Sequence, residues 1–425
     1  MKNNQYNINV ERDVNVHFED KKKSRMFFVF LWILYAVVYM TKNSFNGALA
    51  SIVEEGILTK SQTGLITAMF YVAYTPLQIV GGFVSDKLSP ERLIKIGLVG
   101  AAISNTIIFF NQDYYVMLFS WMFNGMVQFG IWPSIFKIIS SQLVRSDRAK
   151  MVFYITFCAP IGLILTYFTA AIMPHWKYNF ALSSVCMVVF ALLMHIFEIK
   201  MNPFLKWDKM EQENDNAECE HIQVPTMKLF AKSGFFFMMI GLCVATIAIQ
   251  SRSSTATVMF LENYENVSAS LSNLLNIFML VSGIVGTLVA GKIVKKMKNE
   301  VLGMTVVFVC MFPFFALCLF AGKVPVPMLI VFHCAIACLE STSNLVRNYY
   351  NLNFVKYGKS GLAAGVLNAG MSFSFMMAAW VMMRVVDNYG WTVMVVSWCA
   401  LVATAIVVMS VGIPMLKKFK KNGIE

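Results

Sequence analysis

The sequence predicts an all-α membrane protein: twelve transmembrane helices in two pseudo-symmetric six-helix bundles. Three observations carry that reading. The 425 residues are 58% hydrophobic and 14% charged, with a mean hydropathy of +0.63, whereas a soluble domain carries about 25% charge. Twelve stretches approach the ~20 apolar residues of helix that a bilayer requires. The basic residues gather at alternate joins between them. A soluble enzyme, a disulfide scaffold and a disordered chain are excluded by this composition. The ten-residue apolar/polar alternation of an outer-membrane barrel is absent.

In order, the spans are predicted at about 26–52, 62–85, 93–111, 114–143, 150–173, 178–198, 233–261, 269–291, 301–321, 325–350, 360–386 and 391–414. The joins carry turn or charge signals, such as Asp86-Lys87-Leu88-Ser89-Pro90 and Pro325-Val326-Pro327. Residues 1–25 form a polar tail, 26–198 the first bundle, 199–232 an acidic central loop, 233–414 the second bundle and 415–425 a basic tail. No small-residue cleavage site follows the first apolar run, so that helix is expected to be retained. Eight of the nine cysteines lie in spans, without a CxxC pair, and neither a zinc site nor a disulfide framework is expected.

The formal charge of +12 is topological. Of the 35 Lys and Arg residues, 28 fall on the side of the termini, and Lys60, Lys177, Lys323 and Arg384 fall on the other. By the positive-inside rule both termini are cytoplasmic. A nucleic-acid partner is therefore not expected; membrane lipid is.

The halves resemble one another at an offset of 209 residues. Gly82-Phe83-Val84-Ser85-Asp86-Lys87 follows span two, and Gly291-Lys292-Ile293-Val294-Lys295-Lys296 follows span eight. The same offset brings Lys42 beside Arg252 and Lys137 beside Arg347, the mark of a duplicated transporter fold. The pattern Gly82…Asp86-Lys87…Arg92 resembles the loop-2/3 motif of the major facilitator superfamily. That resemblance implies a conformational latch made by Gly82, Asp86, Lys87 and Arg92. In the second half Lys295 replaces the Asp.

Four ionisable residues lie well inside spans: Lys42, Lys137, Arg252 and Glu340, on spans one, four, seven and ten. Each would cost roughly 2.5–3.5 kcal/mol facing lipid, so they are expected to face water or one another. In the superfamily these four helices surround a central cavity. Lys137 also lies close enough to a helix end to snorkel, and Arg252 with Glu340 also suits a structural ion pair. His333 shares a face with Glu340 at a spacing of seven and reads either as a packing residue or, with Glu340, as a proton-coupling group.

The chain further resembles the organophosphate:phosphate antiporter family, which includes the glycerol-3-phosphate and hexose-phosphate transporters. The likeness runs through Lys42-Asn43, Phe45, Glu54-Glu55-Gly56, Ala73-Tyr74, Gln128-Phe129-Gly130-Ile131-Trp132-Pro133, Arg148, and Ala363-Ala364-Gly365 to Asp387-Asn388-Tyr389-Gly390-Trp391. The binding positions depart from the family. Lys42 stands for the Arg of helix one, Gln78 for a Lys of helix two, and Gln250 for the Arg of helix seven, with Arg252 two residues along. The helix-five motif reads Ile155-Thr156-Phe157-Cys158-Ala159-Pro160, without its His. Lys offers a point charge where Arg offers a bidentate fork.

These features lead to a secondary active transporter of a small anionic solute: an organophosphate, a sugar acid or another carboxylate. It would work by alternating access in the cytoplasmic membrane, as an antiporter or proton symporter, with phosphate or a proton as coupling ion. Lys42, Arg252, Tyr74, Gln78, Trp132 and Lys137 are expected to bind the solute, and Glu340 and His333 to couple its movement. A monomer without cofactor is expected. A membrane ligand sensor on the same scaffold and a proton-coupled drug efflux pump are the alternatives. No catalytic motif of an enzyme appears.

Overall fold

The computed structural model describes residues 14–18, 20–87, 89–209, 224–294 and 296–422. Nine helical stretches among them are long and apolar enough to cross a membrane. The last, 360–422, folds back at Gly390 (φ +79°) and so contributes two spans. The helix at Lys60–Lys87 and the interrupted helix from Tyr114 complete twelve.

Span one is α1 (Lys21–Lys42) and α2 (Ser44–Glu54), interrupted at Asn43. Asp20 caps α1 by accepting from the backbone N–H of Lys22 at 2.8 Å, so the helix starts five residues before the apolar run does. Then come α3 (Lys60–Lys87), α4 (Pro90–Phe110), and α5 (Tyr114–Gln128) with α6 (Ile131–Lys137) and a π-helical turn to Gln142. The half closes with α7 (Arg145–Ile155), α8 (Cys158–Ile172) and α9 (Tyr178–Met201). After the short α10 (Thr226–Lys232), the second half holds α11 (Phe235–Asn263), α12 (Ala269–Val294), α13 (Glu300–Leu317), α14 (Val326–Asn351), α15 (Ser360–Met377) and α16 (Met383–Asn422). The last helix continues to Asn422, well beyond residue 414, because the Lys-rich end extends it into water, where Lys420 pairs with Glu300 at 2.6 Å.

Outside the spans, β1 (Val14–Phe18) pairs antiparallel with β2 (Leu205–Lys209), Val14 opposite Lys209 and Phe18 opposite Leu205. This ribbon ties the first tail to the segment after α9, a pairing the sequence reading did not foresee. Phe18 is buried against Phe27, and the Lys23 ammonium lies over the Phe204 ring.

Apolar residues point outward along the helices. On α12, Phe278, Val281, Val285 and Leu288 are exposed at helical spacing, a lipid-facing stripe. Polar residues point inward: Asn105, Asn124, Gln128, Asn273, Asn276 and Arg252 are buried. Close backbone approach at small residues supplies the packing, as is usual between membrane helices. A Cβ on Gly162 would stand 2.4 Å from the Ala36 carbonyl, and one on Gly286 2.6 Å from that of Cys338.

The chain's described ends lie on one face, called here the terminal face; the other is the far face. Links between the halves gather at the far face. Lys60 pairs with both Glu262 oxygens at 2.9 Å, and Glu262 also accepts from the Trp391 indole at 2.8 Å. The Ser61 N–H donates to Asp387 at 3.2 Å, and the Asn273 amide to the Gly47 carbonyl at 3.1 Å. Helices α3 and α15 meet closely there: a Cβ on Gly64 would lie 2.4 Å from the Ala379 carbonyl just past α15. Nearer the terminal face, a Cβ on Gly361 or Gly365 of α15 would meet nothing within 4 Å. The described links between the halves thus gather at the far face.

Candidate functional site

The interruption of span one places Lys42 at mid-depth. The Asn43 side chain donates to the Tyr39 carbonyl at 2.8 Å, and Ser44 Oγ to the Thr41 carbonyl at 2.9 Å. These side chains take up carbonyls that the interrupted ladder leaves. Lys42 is the last residue of α1, so its cation sits at the negative end of that helix.

Its ammonium is held by rings. It lies 3.9 Å from the Tyr74 centroid, 5.2 Å from Phe70 and 5.9 Å from Tyr39. Such contacts are worth about 0.5–2 kcal/mol. A small recess beside it is lined by Lys42, Asn43, Asn46, Thr67, Phe70 and Tyr71. No carboxylate among the described residues pairs with Lys42. Tyr39 stands edge-on to Tyr35 at 5.0 Å, and Tyr35 stacks on Trp132 at 5.1 Å. Trp132 therefore belongs to an aromatic ladder ending at Lys42, not to its immediate surroundings.

The cluster joins two residues expected from the sequence, Lys42 and Tyr74, to two that were not, Tyr39 and Phe70. Both were legible: Tyr39 is three residues from Lys42 on one helix, and Phe70 is four from Tyr74 on another. Phe70 is held in place by Gly125, since a Cβ there would stand 2.3 Å from the Phe70 carbonyl. Gly125→Ala is expected to push α3 from α5, costing about 1–3 kcal/mol as overpacking does. A thermal melt of purified protein checks this; an unchanged melting temperature would contradict the close packing.

The second half offers a different arrangement. Helix α11 is continuous from Phe235 to Asn263, so the irregular segment that could have turned Arg252 into the position of Gln250 does not form. Two residues on an ideal helix differ by about 200°. Arg252 is instead buried, its side chain 2% exposed, and pairs with Glu340 at 3.1 Å. Its Nη1 donates to the His333 carbonyl at 3.3 Å and reaches Met279 Sδ at 3.6 Å, while its Nε finds no partner among the described residues. Glu340 remains 29% exposed on its side chain. An unpaired guanidinium in such a place would cost several kcal/mol, and removing either partner of a buried pair typically costs about 3–5 kcal/mol. The neighbouring Ser251 is fixed by the Trp398 indole at 2.9 Å.

His333 is fully buried against Phe260 and Cys318, behind the pair. Lys137 ends α6, ahead of the π-helical turn, and Arg347 lies four residues from the end of α14 beside Met371. Both stand nearer the terminal face than Lys42 and Arg252 do. The side chains of Gln78, Gly82, Asp86 and Lys87 lie outside the described residues, although their backbone continues α3. Arg92 is exposed in the first turn of α4.

Two helical bundles that meet at one face, with charged groups at mid-depth on helices from both, have the two-bundle architecture found in many secondary transporters. The chain belongs to the major facilitator superfamily, whose profile matches residues 31–349. It is 31% identical over 125 residues to the membrane sensor protein UhpC of Salmonella typhimurium, covering 29% of this chain and 28% of that one. It is 29% identical over 123 residues to a probable hexose phosphate transport protein of Chlamydia pneumoniae, covering 28% and 27%. Each match thus spans under a third of the relative's length. In fold, it is similar to the crystal structure of a bacterial homologue of the human lysosomal transporter Spinster, with a TM-score of 0.72, 12% identity and coverage of 94% and 95%.

Proposed function

We propose that the protein moves a small anionic organic solute across a membrane by alternating access, with Lys42 as its anion-binding group. The observation that carries this reading is a mid-depth cation held by aromatic rings, with no carboxylate partner among the described residues. A cation there is costly unless something compensates it, and an anionic solute does so. Tyr71, Asn43 and Asn46 offer hydrogen bonds around the same recess. The name of the Chlamydia relative, a hexose phosphate transport protein, supports an organic anion. The basic residues of the terminal face support a cytoplasmic side there, which makes the far face, where the described links gather, the outer one.

The name of the sensor relative favours a second reading, in which the same site binds its anion and reports it without flux. Purified protein in vesicles, challenged with glucose 6-phosphate, 3-phosphoglycerate and gluconate, separates the two. Saturable uptake abolished by Lys42→Ala supports transport. Binding without uptake supports sensing. Competition by hydrophobic cations and not by anions would overturn both.

A further inference from the structure

The two mid-depth cations are compensated differently. Lys42 lies against ring faces with no carboxylate partner among the described residues, whereas Arg252 already holds Glu340. Arg252 is out of reach of solvent, and the partly exposed Glu340 carboxylate stands at its accessible side. Two further contacts, with the His333 carbonyl and Met279, keep the guanidinium in place without a solute.

We propose that Glu340 is a built-in counter-anion for Arg252, so that the protein carries singly charged organic anions on Lys42 and returns empty instead of exchanging one anion for another. This rests on the transport reading above. A carrier whose cations all depend on solute is trapped when empty, because crossing would bury bare charge. Here the second half stays neutral with or without solute. Only the Lys42 charge must be carried back, and the rings and helix terminus about it belong to its own half and travel with it as that half moves. The same balance sets the solute's charge. One negative charge matches Lys42; a second would have to displace Glu340 and leave that carboxylate unpaired.

The test compares the wild-type protein with Glu340→Gln in vesicles, using gluconate (one negative charge) and glucose 6-phosphate (two at pH 7.5). The wild type is expected to take gluconate into vesicles holding no exchangeable anion, and to prefer it over glucose 6-phosphate about tenfold in kcat/KM. Glu340→Gln is expected to lose net uptake tenfold or more, keep exchange between internal and external probe, and shift toward glucose 6-phosphate about tenfold. Retained exchange shows that the variant is folded. If it does not fold, Glu340→Asp keeps the charge with a shorter reach and should move the net-to-exchange ratio the same way. Wild-type uptake that needs an internal anion, exclusion of gluconate while glucose 6-phosphate is moved, or an unchanged ratio in the variant would overturn the proposal. Wild-type protein that moves neither probe in either arrangement counts against the transport reading itself.

Discussion

Lys42→Ala is expected to weaken binding of an anionic solute about 100-fold or more while leaving the helical fold intact. Truncating one partner of a desolvated charge pair costs about 2–5 kcal/mol, and no second cation takes over: Arg252 is paired to Glu340, and Lys137 and Arg347 lie nearer the terminal face. The melt without solute should move little, because the variant loses cation–π contacts and is relieved of a desolvated ammonium at the same time. Lys42→Arg should restore part of the binding, with its fork constrained by the Tyr74, Phe70 and Tyr39 rings. Isothermal titration against the solute that the wild type takes up reads the affinity directly. Unchanged affinity in Lys42→Ala would remove Lys42 from the site.

Lys60→Ala, or Glu262→Gln, should open the far face. The Lys60 ammonium meets both Glu262 oxygens, and the Trp391 indole holds one of them. Exposed pairs contribute about 0.2–1 kcal/mol, and hydrogen bonds to charged groups about 1.5–3 kcal/mol. With both partners partly shielded, about 1–2 kcal/mol is reasonable, a shift of roughly 5- to 30-fold in the ratio of the two conformers. Electron-spin distances between labels at positions 174 and 265, one on each half at the far face, should lengthen in the population. The double variant should add little to either single one. Unaltered distance distributions would mean that Gly64 packing and the Ser61–Asp387 bond seal the face without the ion pair.

Much of the architecture was legible because lipid imposes it: spans, the basic side and the acidic division between bundles follow from composition alone. Resemblance added the superfamily, which the match over residues 31–349 bears out. What escaped was local or long-range. The interruption at Asn43 depends on side chains that bond the backbone, as Asn43 does to Tyr39, and propensity does not distinguish such residues from ordinary helix interior. The Lys60–Glu262 contact joins residues 202 apart, beyond any helical periodicity. The β1–β2 ribbon lies in segments whose polarity masks their pairing. Arg252 was placed on the right helix, but only an unbroken α11 decides which way it turns.

That unbroken helix and the jointed one opposite it imply a division of labour between the two halves. A continuous rod re-aims a side chain only by moving as a body, so the second half serves as a fixed plate carrying a self-contained charge. The joint at Asn43 can flex locally, and a few residues beside it can be exchanged without disturbing the rod. New solute preferences should accordingly arise by drift around that joint, with the opposing plate kept as the unchanging half of the machine.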